Sequence, residues 1–91
     1  MTLTHEANRI FFENAEHKVL AFVEFPDLNS SVVNILHTFV DPSLRGQGVG
    51  GQLMCALIAE LEQSGKKASP TCAYAKSWFA RHPEYSCFLA D

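Results

Sequence analysis

The sequence predicts an α+β domain built on a mixed sheet, and three observations carry that reading. The first forty residues hold short apolar, aromatic and β-branched runs separated by turn-forming clusters. From Gly48 onward the apolar residues recur at the period of a helix. Between the two halves lies one glycine-dense segment, Gly46-Gln47-Gly48-Val49-Gly50-Gly51.

The elements follow in the order β-β-β-α-β-α. Arg9–Glu13 is a short strand with an apolar centre, and Asn14–His17 supplies a polar turn. Lys18–Phe25 is the second strand, closed by the turn cluster Pro26-Asp27-Leu28-Asn29-Ser30. Ser31–Val40, dense in β-branched residues, is the third. Such short connections imply an antiparallel meander. From Gly48 to Gln63, Val49, Leu53, Met54, Leu57, Ile58 and Leu61 make one apolar helix face opposite Gln52 and Glu60. Gly65 stops this helix, with Lys66 and Lys67 placed beyond the negative end of its dipole. Lys67–Cys72 reads as a further strand in which Pro70 marks an edge or an end. Ala73–His82 forms a second helix, closed by Pro83. A meander passing through a crossover helix to another strand gives a mixed sheet with helices packed on it.

A chain of 91 residues supports a single domain over 1–91, since it buries only about 60–65% of its unfolded surface. A net charge of −3 argues against non-specific nucleic-acid binding, which depends on neutralising phosphates. No apolar run reaches the roughly 18–20 residues that span a bilayer, and Met1–Arg9 offers no signal-peptide core. A cytoplasmic location without membrane attachment is therefore expected. Cys55, Cys72 and Cys87 are widely spaced and odd in number, so neither a disulfide framework nor a zinc site fits. His5, His17, His37 and His82 stand apart from one another, and no metal is expected.

The loop Asp41–Gly51 joins the third strand to the amphipathic helix. Glycines let backbone turn sharply and approach a ligand, and a helix start presents unpaired N–H groups and a positive dipole. Arg45 adds a forked cation at the same place. A plain connection needs one glycine, whereas four occupy the six positions 46–51, so an anion-binding loop is expected. Gly46, Gly48 and Gly51 match G-x-G-x-x-G, but a dinucleotide fold needs a parallel βαβ unit and an acid about twenty residues on. Here a meander precedes the loop, and the chain near Ala68 is without an acid. No Gly-Lys-Ser/Thr ends the loop, which excludes the P-loop.

Arg45, Gly48 and Gly50 form R-x-x-G-x-G, which resembles the pyrophosphate loop of the GCN5-related N-acetyltransferases, placed there too between a central strand and its helix. His37-Thr38-Phe39-Val40 and Thr71-Cys72-Ala73-Tyr74 extend the resemblance to a small subgroup of about this length that lacks the early helices of larger enzymes. That subgroup usually reads H-T-x-V-P where this chain reads H-T-F-V-D-P, with Asp41 inserted. The resemblance implies a truncated form of that fold, with acetyl-CoA or coenzyme A as cofactor. It implies that backbone groups of Phe39 and Val40 bond the pantetheine arm, and that the loop from Arg45 and Gly46 through Gln47, Gly48, Val49, Gly50 and Gly51 holds the pyrophosphate. The strands beside the cofactor would splay apart, with Cys72 and Tyr74 near the acyl end.

Three side chains are candidates for chemistry, each with a plainer reading beside it. Cys72 precedes a helix, where a dipole favours a reactive thiolate, but free cysteine is also a common small core residue. His37 alternates with Ile35 and Phe39, so it is expected to be partly buried; it is either a structural histidine or the base that deprotonates an incoming ammonium. Tyr74 is either the acid for a leaving thiolate or a packing residue. Trp78, Phe79 and Tyr85 read as core and cover, and Glu60, Glu62 and Glu84 as solvated surface. Two functions follow: acetyl transfer to a primary amine of a small molecule or protein, or a CoA-binding module that uses Cys72 as carrier or sensor.

Overall fold

A computed structural model describes residues 2–90. Six strands, β1 (Thr2–Glu6), β2 (Arg9–Glu13), β3 (Val19–Glu24), β4 (Val32–Ile35), β5 (His37–Val40) and β6 (Lys67–Pro70), accompany two helices, α1 (Val49–Ser64) and α2 (Ala73–Arg81). One sheet runs β1-β2-β3-β5 with antiparallel neighbours, and β4 pairs with β6 in parallel. The expected mixed α+β arrangement is present, with two differences from the sequence reading.

The first is β1, which pairs with β2 through an Ala7-Asn8 turn in which Asn8 has a left-handed φ of 61°. Its sequence, Thr-Leu-Thr-His-Glu, is mostly exposed and lacks an apolar run, so only alternation and the Asn hinted at a hairpin.

The second is a break inside the third predicted strand. Glu24 pairs with His37 in the register, yet the Leu36 N–H also donates to the Glu24 carbonyl at 3.0 Å. Two residues therefore oppose one, which is a β-bulge. It explains the burial: Ile35 is fully buried and Thr38 partly so, three positions apart, while Leu36 and His37 between them are exposed. The expectation that His37 shares a face with Ile35 and is partly buried is corrected here. The bulge turns it out with Phe39, and its side chain is 59% exposed.

The core lies between the inner sheet face and α1. Leu53, Met54, Leu57 and Leu61 are almost wholly buried against Ile10, Ala21, Val23, Val33 and Ile35. Each such side chain contributes about 1.5–3 kcal/mol by leaving water. α1 ends at Gly65, whose φ of 72° is left-handed, as a glycine stop requires. α2 adds Ala75, Trp78 and Phe79 to the same core, and Trp78 stacks on His82 and Tyr85. Pro70 ends β6, and α2 stops at Arg81, ahead of Pro83. No helix among the described residues is long and apolar enough to cross a membrane.

Candidate functional site

β5, the loop after it, and the first turns of α1 and α2 converge on one side of the sheet. Asp41 initiates the loop: its Oδ1 accepts from the Ser43 N–H at 2.9 Å, opening a 3-10 turn over Pro42–Leu44. The inserted aspartate is thus a cap. The bonds from the Ser43 backbone and side chain hold its carboxyl below the ordinary carboxylate range. For a lowered carboxyl, the cap is complete above the ordinary value and is lost as pH falls through the folded one. In an NMR titration, the Ser43 amide should shift with a midpoint below that of an exposed aspartate; a midpoint at or above it would remove the cap.

Beyond Arg45 the chain turns through Gly46 and Gly48, with left-handed φ of 81° and 73°. Gly48 is the N-cap of α1 and provides no side-chain cap. The Gln52 N–H donates to the Gly48 carbonyl at 3.1 Å, so the earlier N–H groups of Val49, Gly50 and Gly51 have no partner within the helix. The Gln47 N–H is engaged inside the loop, donating to the Leu44 carbonyl at 3.2 Å. Arg45 is exposed and forms no ion pair among the described residues. The loop borders a cleft of about 260 Å³ that also meets Val40 and Tyr74.

Tyr74 lies across this cleft. A Cβ built on Gly50 would come within 2.9 Å of Tyr74 Cζ and closer still to its hydroxyl. Gly50, with no positive φ, is thus required by a neighbour, and Gly51 meets nothing within 4 Å. Three of the four glycines thus answer to two different needs, positive φ at Gly46 and Gly48 and a close neighbour at Gly50.

A gap opens beside β5. β4 and β6 stay paired to Ile35 and Pro70, where the Ile35 carbonyl accepts from the N–H groups of Thr71 and Cys72. After the bulge, β5 keeps only β3 as a strand partner among the described residues. The Asp41 N–H donates to the Leu20 carbonyl at 2.7 Å, so by antiparallel alternation Phe39 and His37 direct their backbone groups at β3. Those of Thr38 and Val40 face the gap. Cys72 stands on its other side as the N-cap of α2, its sulfur accepting from the Ala75 N–H at 3.4 Å and lying 3.5 Å from Thr38 Oγ1. Thr38 entered the sequence reading only as a letter of the H-T-x-V motif and was given no role; its partner is 34 residues away, beyond any local signal.

His37 sits on the opposite face of the sheet from this cleft, its Nδ1 3.9 Å from Glu24 Oε1 and its ring edge-on to Phe22. Cys55 and Cys87 are exposed and apart from the site. Among the described residues no cluster could hold a metal. A larger cavity of about 440 Å³ lies at the far end of α1, but its Glu60 and Lys66 are already paired with His5 and Asp27. Size alone does not mark the site.

An anion-receptive helix start next to an opened strand pair defines a small α+β domain of the acyl-transferase class. The sequence profile of the GCN5-related N-acetyl-transferases matches residues 9–88, and the chain belongs to that family. No curated protein sequence matches it. Among solved structures, a GCN5-like protein from Staphylococcus aureus is 25% identical, with a TM-score of 0.82 over 97% of this chain and 86% of its own. Rv2747 from Mycobacterium tuberculosis, solved with CoA and NLQ, is 22% identical, with a TM-score of 0.67 over 84% of this chain and 47% of its own. A GNAT-family acetyltransferase from Elizabethkingia anophelis with acetyl-CoA bound is 15% identical, with a TM-score of 0.63 over 85% of this chain and 51% of its own. The chain thus spans about half of those two proteins, and they share its fold.

Proposed function

We propose that this protein binds acetyl-CoA at the Arg45–Gly51 loop and transfers the acetyl group to a primary amine. The observation that carries the reading is the uncapped start of α1, where the N–H groups of Val49, Gly50 and Gly51 and the side chain of Arg45 have no partner among the described residues. This donor set suits a pyrophosphate, because charge-assisted hydrogen bonds from a preformed nest need little reorganisation. Gly46 and Gly48 shape the nest through their backbone, and Gln47 braces it through its bond to Leu44. Val40 and Thr38 would bond the pantetheine amides, whereas the backbone of Phe39, expected to share that role, is directed at β3 instead.

Acetyl-CoA supplies a thioester carbon open to attack by a neutral amine. That carbon would lie beside β5 in the cleft that Val40 and Tyr74 border, and catalysis would come chiefly from holding the two reactants in line. His37 lies on the face opposite the cleft and would act as the base only for an amine that approaches from that face. Tyr74, in the cleft, would give a proton to the departing thiolate. Cys72 is the residue on which transfer and acyl storage differ. Its two hydrogen-bond contacts, to Thr38 and Ala75, fix the thiol as a helix cap, which favours a positioning role.

Acetyl transfer across an amine panel, with mass spectrometry of the protein, tests this. Cys72→Ala should retain a substantial share of turnover, no acetylated Cys72 should accumulate in the wild type, and CoA should protect Cys72 from iodoacetamide more than Cys55 or Cys87. Loss of all transfer in Cys72→Ser, together with an acetylated wild-type thiol, would instead establish the carrier reading. Cys72 labelling indifferent to saturating CoA would place it outside the site.

A further inference from the structure

The two sides of the gap beside β5 converge toward the end away from the loop. Val40 and Tyr74 border the open cleft, whereas Thr38 and Cys72, two residues earlier on either side, stand outside its lining. Thr38 Oγ1 and Cys72 Sγ are 3.5 Å apart, a side-chain contact that leaves no room for an atom between them. Beyond that contact the Ile35 carbonyl accepts from the Cys72 N–H at 3.2 Å and from the Thr71 N–H at 3.1 Å. Thr71 Oγ1 also donates to Asn34 Oδ1 at 2.7 Å. The opening is therefore a V, bonded shut at Ile35, touching at Thr38 and parted at Val40.

The closed end of the V is firmly held. Ile35 is fully buried, as is Ala68 of β6, the strand that pairs with β4. Thr38 lies opposite the fully buried Val23 in the β3–β5 register. Cys72 is fixed at the start of α2, its sulfur accepting from the Ala75 N–H and its carbonyl from the Lys76 N–H at 3.1 Å. Parting such a junction for a few extra atoms means overpacking an interior already at crystal density.

The position of the loop gives the V a direction. With a pyrophosphate at the start of α1, a pantetheine arm extended along β5 carries its acyl group as the leading end. That leading end is the part that meets the narrowing. An acetyl group can stop against the Thr38 and Cys72 side chains, whereas each further methylene must push between them.

We infer that the Thr38–Cys72 contact is the end wall of the acyl site and makes this protein selective for short acyl groups, acetyl ahead of butyryl and longer chains. The inference rests on the reading of the Arg45–Gly51 loop as the coenzyme A site and adds the acyl-length selectivity of that same site. Both residues act here by the space they fill, and no bond to the thiol forms or breaks.

Calorimetry with acetyl-, butyryl- and hexanoyl-CoA, in the absence of any amine, tests the wall without an acceptor. In the wild type, Kd should rise about tenfold or more from acetyl- to butyryl-CoA, the penalty for methylenes that a site cannot house. Thr38→Ala combined with Cys72→Ala should shrink that ratio to about threefold or less, because both wall side chains are cut back. Thr38→Val, which keeps the branched shape and removes the hydroxyl, should hold the ratio within about twofold of wild type. In 15N-labelled protein, spectra of the CoA and acetyl-CoA complexes should differ most at Thr38, Thr71 and Cys72. Equal wild-type affinity for all three thioesters, or a ratio that survives in the double alanine variant, would overturn the inference and leave the loop assignment intact. A ratio that collapses in Thr38→Val would overturn the wall in favour of a hydrogen bond. If the double variant does not fold, the wild-type series and Thr38→Val still decide. Failure of free CoA to bind would overturn both readings together.

Discussion

Arg45→Ala combined with Gly48→Val should weaken coenzyme A binding by about a hundredfold or more. Arg45 is exposed, unpaired among the described residues and beside the unpaired donors of α1, so its loss removes a charge-assisted bond to phosphate. Such a bond is worth about 1.5–3 kcal/mol, or about one to two decades in affinity. Gly48 has a φ of 73°, in the left-handed region. A β-branched residue resists that conformation by roughly 1–2 kcal/mol, and its relaxation would swing the first N–H groups of α1 away from the nest. The two effects act on charge and on backbone geometry. Calorimetry with CoA decides the matter: an affinity within threefold of wild type would sink the loop assignment. NADH serves as a control and should bind no better than any other nucleotide phosphate.

Gly50→Ala should destabilise the fold and impair CoA binding without touching any charge. Its new methyl would be driven against the Tyr74 ring and hydroxyl, a contact too short for either side to keep. Overpacking of this kind costs about 1–3 kcal/mol, and in a domain of this size each kcal/mol lowers Tm by roughly 4–8 °C. The decisive comparison is the double variant. Tyr74→Ala should restore most of the stability that Gly50→Ala removes, because the two residues share one space. Strictly additive Tm losses in the pair would show that Gly50 is needed for another reason. Gly51→Ala is the matching control, since a Cβ there meets nothing within 4 Å, and it should be nearly neutral in stability.

The helix α1, its glycine stop and the loop that precedes it were legible because each is set by local chemistry. A 3.6-residue apolar period, a residue able to take positive φ, and a run of unpaired N–H groups are properties of consecutive residues. The family resemblance followed from that same stretch and from the short motifs at His37 and Thr71. β1 escaped because its stability comes from pairing with Arg9–Glu13 and little from apolar content of its own. The meaning of Gly50 escaped for a related reason. The glycine count suggested four positions serving one ligand, whereas two answer to φ and one to a tyrosine 24 residues away.

By itself, then, the sequence determined the α+β class, the order of its main elements and the position of the glycine loop, because these depend on neighbours along the chain. The tertiary structure alone decided how β4 and β5 divide. A single extra residue at Leu36 reverses which side chains face inward, sending His37 and Phe39 to the outer face and leaving Thr38 against Cys72. Strand periodicity is two, so one inserted residue changes every side after it, and no local signal marks where that happens. The gap and the thiol beside it follow from that one displacement.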